Sequence, residues 1–169
     1  MKNAIQSTLI LLSFAAAVSG CKNGNDPGGA LAGGAAEKVY VKPGEHDAFY
    51  AFISGGFNGQ LSVYGLPSGR LFRVIPVFSQ DAEKGYGYSE ETKPMLNTSF
   101  GFVPWDDLHH PDISQTNGEL DGRWVFVNGN NTPRIARVDL STFETAEIIE
   151  IPNSAGNHSS SYVTENTEY

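Results

Sequence analysis

The feature that most constrains this chain is a repeat. Residues 49–76, FYAFISGGFNGQLSVYGLPSGRLFRVIP, and residues 123–152, RWVFVNGNNTPRIARVDLSTFETAEIIEIP, each read as three short strands joined by two turns. Each opens on aromatic and β-branched residues, turns on Gly and Asn, alternates apolar and polar positions, turns again and closes on a third apolar run. Phe52 aligns with Phe126, Ile53 with Val127, Gly55 with Gly129, Leu61 with Ile135, Leu66 with Leu140 and Ser68 with Thr142, at a constant spacing of 74 residues. Repeated antiparallel units of this kind point to a β-propeller, although two units alone would also suit a β-sandwich. The spacing of 74 exceeds the ~40–50 residues of an ordinary blade. The excess falls in residues 81–121, where turn and polar residues replace strand periodicity. The sequence therefore predicts an inserted segment there, and long loops on rigid scaffolds often carry function.

Composition agrees with an all-β chain: 19 Gly and 9 Pro supply turns, and 10 Phe and 7 Tyr supply strand and core residues. The net charge of −8 argues against a nucleic-acid binder, which needs clustered Lys and Arg against phosphate. A single cysteine, Cys21, excludes an internal disulfide framework and any CxxC site.

The N-terminus reads as an address. Lys2 precedes an apolar run over residues 8–18, too short for the ~20 residues of a membrane-spanning helix, and Ser19, Gly20 and Cys21 follow. Residues 1–20 are expected to be a signal peptide. Cys21 sits where a bacterial lipobox places the cysteine that becomes lipidated, so membrane contact is expected through a lipid anchor alone. Residues 21–38 read as a flexible Gly- and Ala-rich tether. The folded domain is expected over residues 39–169.

Four histidines carry the candidate chemistry. His46, in the polar turn KPGEHD, reads as an exposed residue. His109 and His110 lie together in WDDLHHPDIS. On an extended strand they would point to opposite sides, and a bend at Pro111 would be needed to bring both imidazoles to one place. His158 follows a run of small residues just after the second unit. Imidazole-only ligation suits Cu, Zn, Fe or Ni, and export favours copper. Asp107 is a candidate acceptor that would fix the tautomer of a ligand imidazole. Asp106 and Asp112 read as solvated carboxylates. Trp105, Phe100 and Phe102 read as packing residues, and Arg134 and Arg137 as partners of acids on sheet edges.

Residues from Thr98 to His158, above all WDDLHHPDIS and the later IPNSAGNH, resemble the N-terminal propeller of nitrous oxide reductase. So do FYAFISGGFNGQLSVYGLPSGRLFRVIPVFSQ and GYGYSEETKPMLNTSFGF upstream. The similarity runs from about Tyr40 to Tyr169. It is nearest to the atypical, clade II form, whose Sec-type leader this N-terminus also resembles.

The resemblance implies the N-terminal blades of a seven-bladed propeller holding CuZ, a four-copper sulfide cluster with seven histidine ligands. Three of these fall on His109, His110 and His158, so the chain is expected to be an N-terminal fragment with a partial ligand set. It also implies a C-terminal domain, absent here, with a dinuclear CuA site. The implied activity is the two-electron reduction of N2O to N2 and water in the last step of denitrification. A c-type cytochrome or cupredoxin would donate the electrons to a homodimer in the periplasm. The fragment alone is expected to be inactive, marginally stable and to have an open sheet edge. The alternatives are a non-catalytic exported propeller lipoprotein that binds a partner and, more weakly, a zinc hydrolase, for which no carboxylate stands out as base.

Overall fold

In the computed structural model the described residues are 34–156, 158 and 163–167. The expected signal peptide, Cys21 and most of the expected tether lie outside them. The chain divides after Lys38 into two units. In the first, Ala35–Lys38 forms one helical turn, α1, from four residues of good helix propensity. Among the described residues no helix is long and apolar enough to cross a membrane.

The second unit is all-β. Strands β1 (Phe49–Ser54), β2 (Gln60–Leu66) and β3 (Leu71–Pro76) form an antiparallel sheet in the order β1-β2-β3. A 3-10 helix at Lys93–Leu96 and a two-stranded ribbon, β4 (Asn97–Thr98) with β5 (Gly101–Phe102), follow. Strands β6 (Leu108–Thr116), β7 (Glu119–Gly129), β8 (Arg134–Asp139) and β9 (Glu144–Glu150) form a four-stranded antiparallel sheet in chain order. The two sheets pack with β1 against β6 and β3 against β9. A bridge between Gly56 and Leu108 ties them at one end.

The repeat holds strand for strand. At the spacing of 74 residues, β1 falls on the second half of β7, β2 on β8 and β3 on β9. The irregularity in pairing between Val63 and Tyr64 recurs between Arg137 and Val138, the matching pair. The antiparallel sheets agree with part of a propeller.

The repeat does not extend to burial. In β2 the buried positions are Leu61, Val63 and Gly65; in β8 they are Arg134, Ala136 and Val138. Leu61 aligns with Ile135, so the two sheets bury opposite faces. The reason is the packing: one sheet turns one face inward and its neighbour turns the other to meet it. The shared core is Leu61, Val63 and Ile75 from the first sheet and Val77 and Phe78 just beyond it, with Leu108, Val125, Val127, Ala136 and Val138 from the second.

One expectation fails. Residues 81–121 are not merely an insertion without strand character, because β6 and the start of β7 lie within them. The segment LHHPDISQT conceals its strand because a bulge breaks the alternation. His109 pairs with Asn128 and Asp112 with Phe126, so His110 and Pro111 together face Val127 alone. Nor is the outer edge of β6 bare. The chain returns along it: Thr167 N–H donates to Gln115 O, and Gly118 N–H to Glu165 O. Asp112 is correspondingly not a free surface acid, since its Oδ2 accepts the Val163 N–H at 3.2 Å.

Candidate metal centre

The bulge that hides β6 from its sequence also makes the site. His110 has φ of +46°, the left-handed region that non-glycine residues rarely occupy. The bend expected at Pro111 is thus made at His110 itself. It cancels the alternation of the strand and turns both imidazoles to the same end of the sheet, with ring centroids 5.5 Å apart.

His158 reaches the same place by the return of the chain from β9. The Ile151 N–H donates to Pro133 O at 2.6 Å, which holds this return against the β7–β8 turn. At Gly156 a Cβ would lie 3.0 Å from the Asn130 carbonyl oxygen, so a glycine lets the return approach the β7–β8 turn without crowding it. The His158 ring then lies 4.7 Å from that of His109, nearly perpendicular to it, and 5.2 Å from that of His110. One ligating nitrogen from each of the three lies within 4.8 Å of the others. His109 is half-buried; His110 and His158 are exposed. The sequence-predicted trio therefore converges, whereas His46 stays apart in an exposed turn beside Arg70 and Tyr50.

Asp107 orients one member of the trio, His109. His109 Nε2 lies 2.9 Å from Asp107 Oδ2, and Asn130 Nδ2 donates to the same oxygen at 3.2 Å. Asp107 O accepts the Asn130 N–H at 2.8 Å. Burial pushes the Asp107 carboxyl upward, but hydrogen bonds from His109 and Asn130, with the charges of His109 and His158, outweigh it and hold it below the usual carboxylate range. With Nε2 committed to Asp107, the Nδ1 of His109 is the nitrogen left for a metal.

Beneath Asp107 lies a feature that sequence reading assigned wrongly. Asp106 is not solvated; it is fully buried. Its Oδ1 accepts the Asp107 and Asn131 N–H groups, each at 2.8 Å. Its Oδ2 accepts the Thr132 N–H at 3.1 Å, the Thr132 hydroxyl and Arg134 Nη2 at 3.3 Å. Arg134 is likewise not at a sheet edge. Its side chain is 1% exposed, lies over the Phe78 ring and also donates to the carbonyls of Val103 and Trp105. Burial pulls the Arg134 pKa down, and the neighbouring Asp106 draws it part of the way back. The pair clamps residues 103–107 to the β7–β8 turn and so fixes the backbone from which Asp107 and His109 project. Arg137 does pair with an acid on a neighbouring strand, Glu147, at 3.3 Å. Trp105 and Phe100 are exposed; Trp105 stacks on Phe57 at 6.3 Å.

The signal for Arg134 was present in the sequence. It shares strand parity with Ala136 and Val138, so a strand that buries those two must also bury Arg134.

Chemically, among the described residues the cluster offers three imidazoles with no thiolate or carboxylate among the converging donors. Such a set suits Cu, Zn, Fe or Ni and adds no negative charge to the ion it holds.

Comparison with known proteins places these residues. No protein-family model matches the chain. The chain is 39% identical over 117 residues to a nitrous-oxide reductase of Stutzerimonas stutzeri, an alignment covering 69% of this chain and 18% of that protein. It is 40% identical over 119 residues to a nitrous-oxide reductase of Pseudomonas fluorescens, covering 70% of this chain and 18% of that protein. It is 41% identical over 128 residues to one of Cupriavidus necator, covering 74% of this chain and 20% of that protein. The family resemblance read from the sequence is borne out. The chain spans about a fifth of the length of these curated relatives.

Proposed function

We propose that these residues are the N-terminal blades of a nitrous-oxide reductase and that His109, His110 and His158 are three of the ligands of its copper–sulfide cluster. The observation that carries this reading is the convergence of the three imidazoles in a chain whose relatives are nitrous-oxide reductases. The donor chemistry fits copper, since neutral imidazoles bind it strongly. When bound, the cluster supplies the two electrons and the polarisation of the N–O bond that reduction of the inert N2O requires.

The residues of this chain supply geometry and electrostatics. His109 presents Nδ1 because Asp107 holds Nε2 at 2.9 Å. Asp107 stays ionised and makes that imidazole a better donor. His110 and His158, on the exposed side, complete the local set. Asp106 and Arg134 hold the Asp107 backbone still. In the complete enzyme the remaining histidines and the CuA domain lie in other parts of the polypeptide. A cytochrome or cupredoxin supplies electrons to a periplasmic homodimer, and a Sec-type leader with Cys21 as lipid anchor fits that location.

The test is to produce the complete enzyme from the gene that carries this sequence, with copper, and to follow N2O reduction with a reduced dye. The His109→Ala/His110→Ala enzyme is expected to lose activity entirely and Asp107→Asn to lose about 10- to 100-fold in copper affinity or rate. Full activity in the double variant would sink the assignment. A complete protein that purifies folded but without copper would favour an exported binding module instead.

A further inference from the structure

We infer that Ser54, on the first sheet, is a positioning residue for the histidine pair on the second. Its hydroxyl holds the peptide that joins Leu108 to His109. The inference rests on the reading of His109 and His110 as ligands of the cluster. It adds that their backbone is set by the neighbouring repeat unit as well as by their own.

Among the described residues the first sheet supplies no member of the imidazole cluster. Its β1–β2 turn is nevertheless built against the strand that carries the histidine pair. The Asp107–Leu108 peptide is held on both sides. Its N–H donates to Gly56 O at 3.0 Å, and its C=O accepts the Asn130 N–H at 2.8 Å. A trans peptide points these two groups in opposite directions, so the two partners stand on opposite flanks. Gly56 and Asn130 are counterparts at the spacing of 74 residues. Equivalent turns of the two repeat units thus grip one peptide between them.

The next peptide, Leu108–His109, sets the direction in which His109 leaves the strand. On one flank it belongs to the β6–β7 ladder, where His109 pairs with Asn128. On the other flank Leu108 O accepts the Ser54 hydroxyl. The same hydroxyl accepts the Gly56 N–H at 3.1 Å, so one oxygen ties the turn to the histidine strand. Leu108 is fully buried, and a buried carbonyl requires a partner. Ser54 is itself the counterpart of Asn128 at the spacing of 74. His109 therefore pairs with this position of the repeat in its own sheet, and the same position of the first sheet holds the peptide before it.

The turn is braced in its turn. Trp105 Nε1 donates to Phe57 O at 2.5 Å, and the two rings stack within 8° of parallel. At Gly59, with φ of +66°, a Cβ would lie 2.9 Å from Phe78 O and 3.2 Å from Asp106 O, so a glycine allows this close seating. Asp107 fixes the His109 ring, and Ser54 fixes the backbone behind it. A ligand shared with groups from distant parts of a polypeptide needs both, because a reacting centre tolerates little displacement of the groups that hold it.

The test compares three variants of the complete enzyme: Ser54→Ala, Ser54→Thr and Thr145→Val. Thr145 is the control, because its hydroxyl donates to Pro76 O at 2.8 Å and joins the same two sheets through β9 and β3. With copper bound, Ser54→Ala should lower N2O turnover about tenfold and shift the visible and electron paramagnetic resonance spectra of the cluster. Ser54→Thr, which keeps the hydroxyl, should restore both. Thr145→Val should lower the urea midpoint and leave turnover and spectra at the parent's values. In the metal-free protein, hydrogen exchange over residues 105–110, read by mass spectrometry, should quicken about tenfold in Ser54→Ala and not in Thr145→Val. Circular dichroism checks folding, which the loss of one oxygen from half-buried Ser54 should not prevent. The inference is overturned if exchange in Ser54→Ala matches the parent, if exchange quickens but the spectra stay parental, or if Thr145→Val shifts the spectra as much. A complete parent enzyme without copper would refute the proposed function instead, and the exchange comparison would still decide whether Ser54 holds the histidine strand.

Discussion

Replacing Asp106 by Ala removes the carboxylate under Arg134 and leaves a guanidinium, 1% exposed, facing a void. Breaking a buried ion pair by removing one partner costs about 3–5 kcal/mol. Two features of the site bear on where in that range the loss falls. Arg134 keeps the carbonyls of Val103 and Trp105, at 3.1 Å each, and the Thr132 hydroxyl at 2.6 Å, which limits the loss. Against this, the N–H groups of Asp107, Asn131 and Thr132 all lose their acceptor at once. Only Asp107 is buried, so its N–H costs about 1–3 kcal/mol, whereas Asn131 is exposed and Thr132 half-buried, and water can replace the acceptor there. A loss of about 4 kcal/mol is a large share of the 5–15 kcal/mol that holds a typical domain together. With a urea slope of about 2 kcal/mol/M, the unfolding midpoint falls by about 2 M.

Urea unfolding followed by circular dichroism and tryptophan fluorescence measures it. Asp107→Ala, which loses only the His109 and Asn130 contacts, should cost about 1 kcal/mol and shift the midpoint by roughly 0.5 M. Asp106→Ala/Arg134→Met removes both buried charges and should recover more than half of the loss. An Asp106→Ala midpoint within about 0.3 M of the parent, or a double variant as unstable as the sum of its singles, would refute the clamp.

Three further outcomes follow from the same structure. Gly129→Ala should destabilise by about 1–3 kcal/mol in urea unfolding, because its Cβ would sit 2.4 Å from Asp106 Oδ2. Gly69→Ala, with φ of +69° but nothing within 4 Å, should cost only about 1–2 kcal/mol from backbone strain. The Asp121 carboxyl is held well below its usual range, first by hydrogen bonding to Arg123, with Ser114 and Thr116 adding to it against the opposing effect of burial. A depressed folded-state pKa stabilises above the unfolded value and is lost as pH falls. The melting temperature of Asp121→Asn should therefore lie below the parent's at neutral pH and converge with it below about pH 4.

What the sequence made legible, and what it hid, depends on how far each signal reaches along the chain. The spacing of 74 was visible because strand alternation and turn glycines are local patterns, and β1–β3 recur on β7–β9 residue for residue. Strand β6 was not, because the bulge at His110 and Pro111 shifts the parity of everything after it. The histidines were legible as a trio, yet the cause of their convergence was placed one residue too late, at Pro111 rather than His110. Asp106 was missed because a buried carboxylate and a solvated one are the same letter. Its partner Arg134 stands 28 residues further on, and only the shared parity with Ala136 and Val138 points inward.

The burial of opposite faces by two aligned sheets has a consequence in symmetry. A contact between like faces would be self-complementary and would end with a pair. A contact between unlike faces is head-to-tail, and each unit added presents the same donor face to the next. Ile53 is half exposed at the position that matches buried Val127, and partly buried Ile135 matches buried Leu61. Each outward face thus retains apolar character where the other unit uses it for the joint. Such a series has two ends by construction, and it loses them only when the rotation between units sums to a full circle.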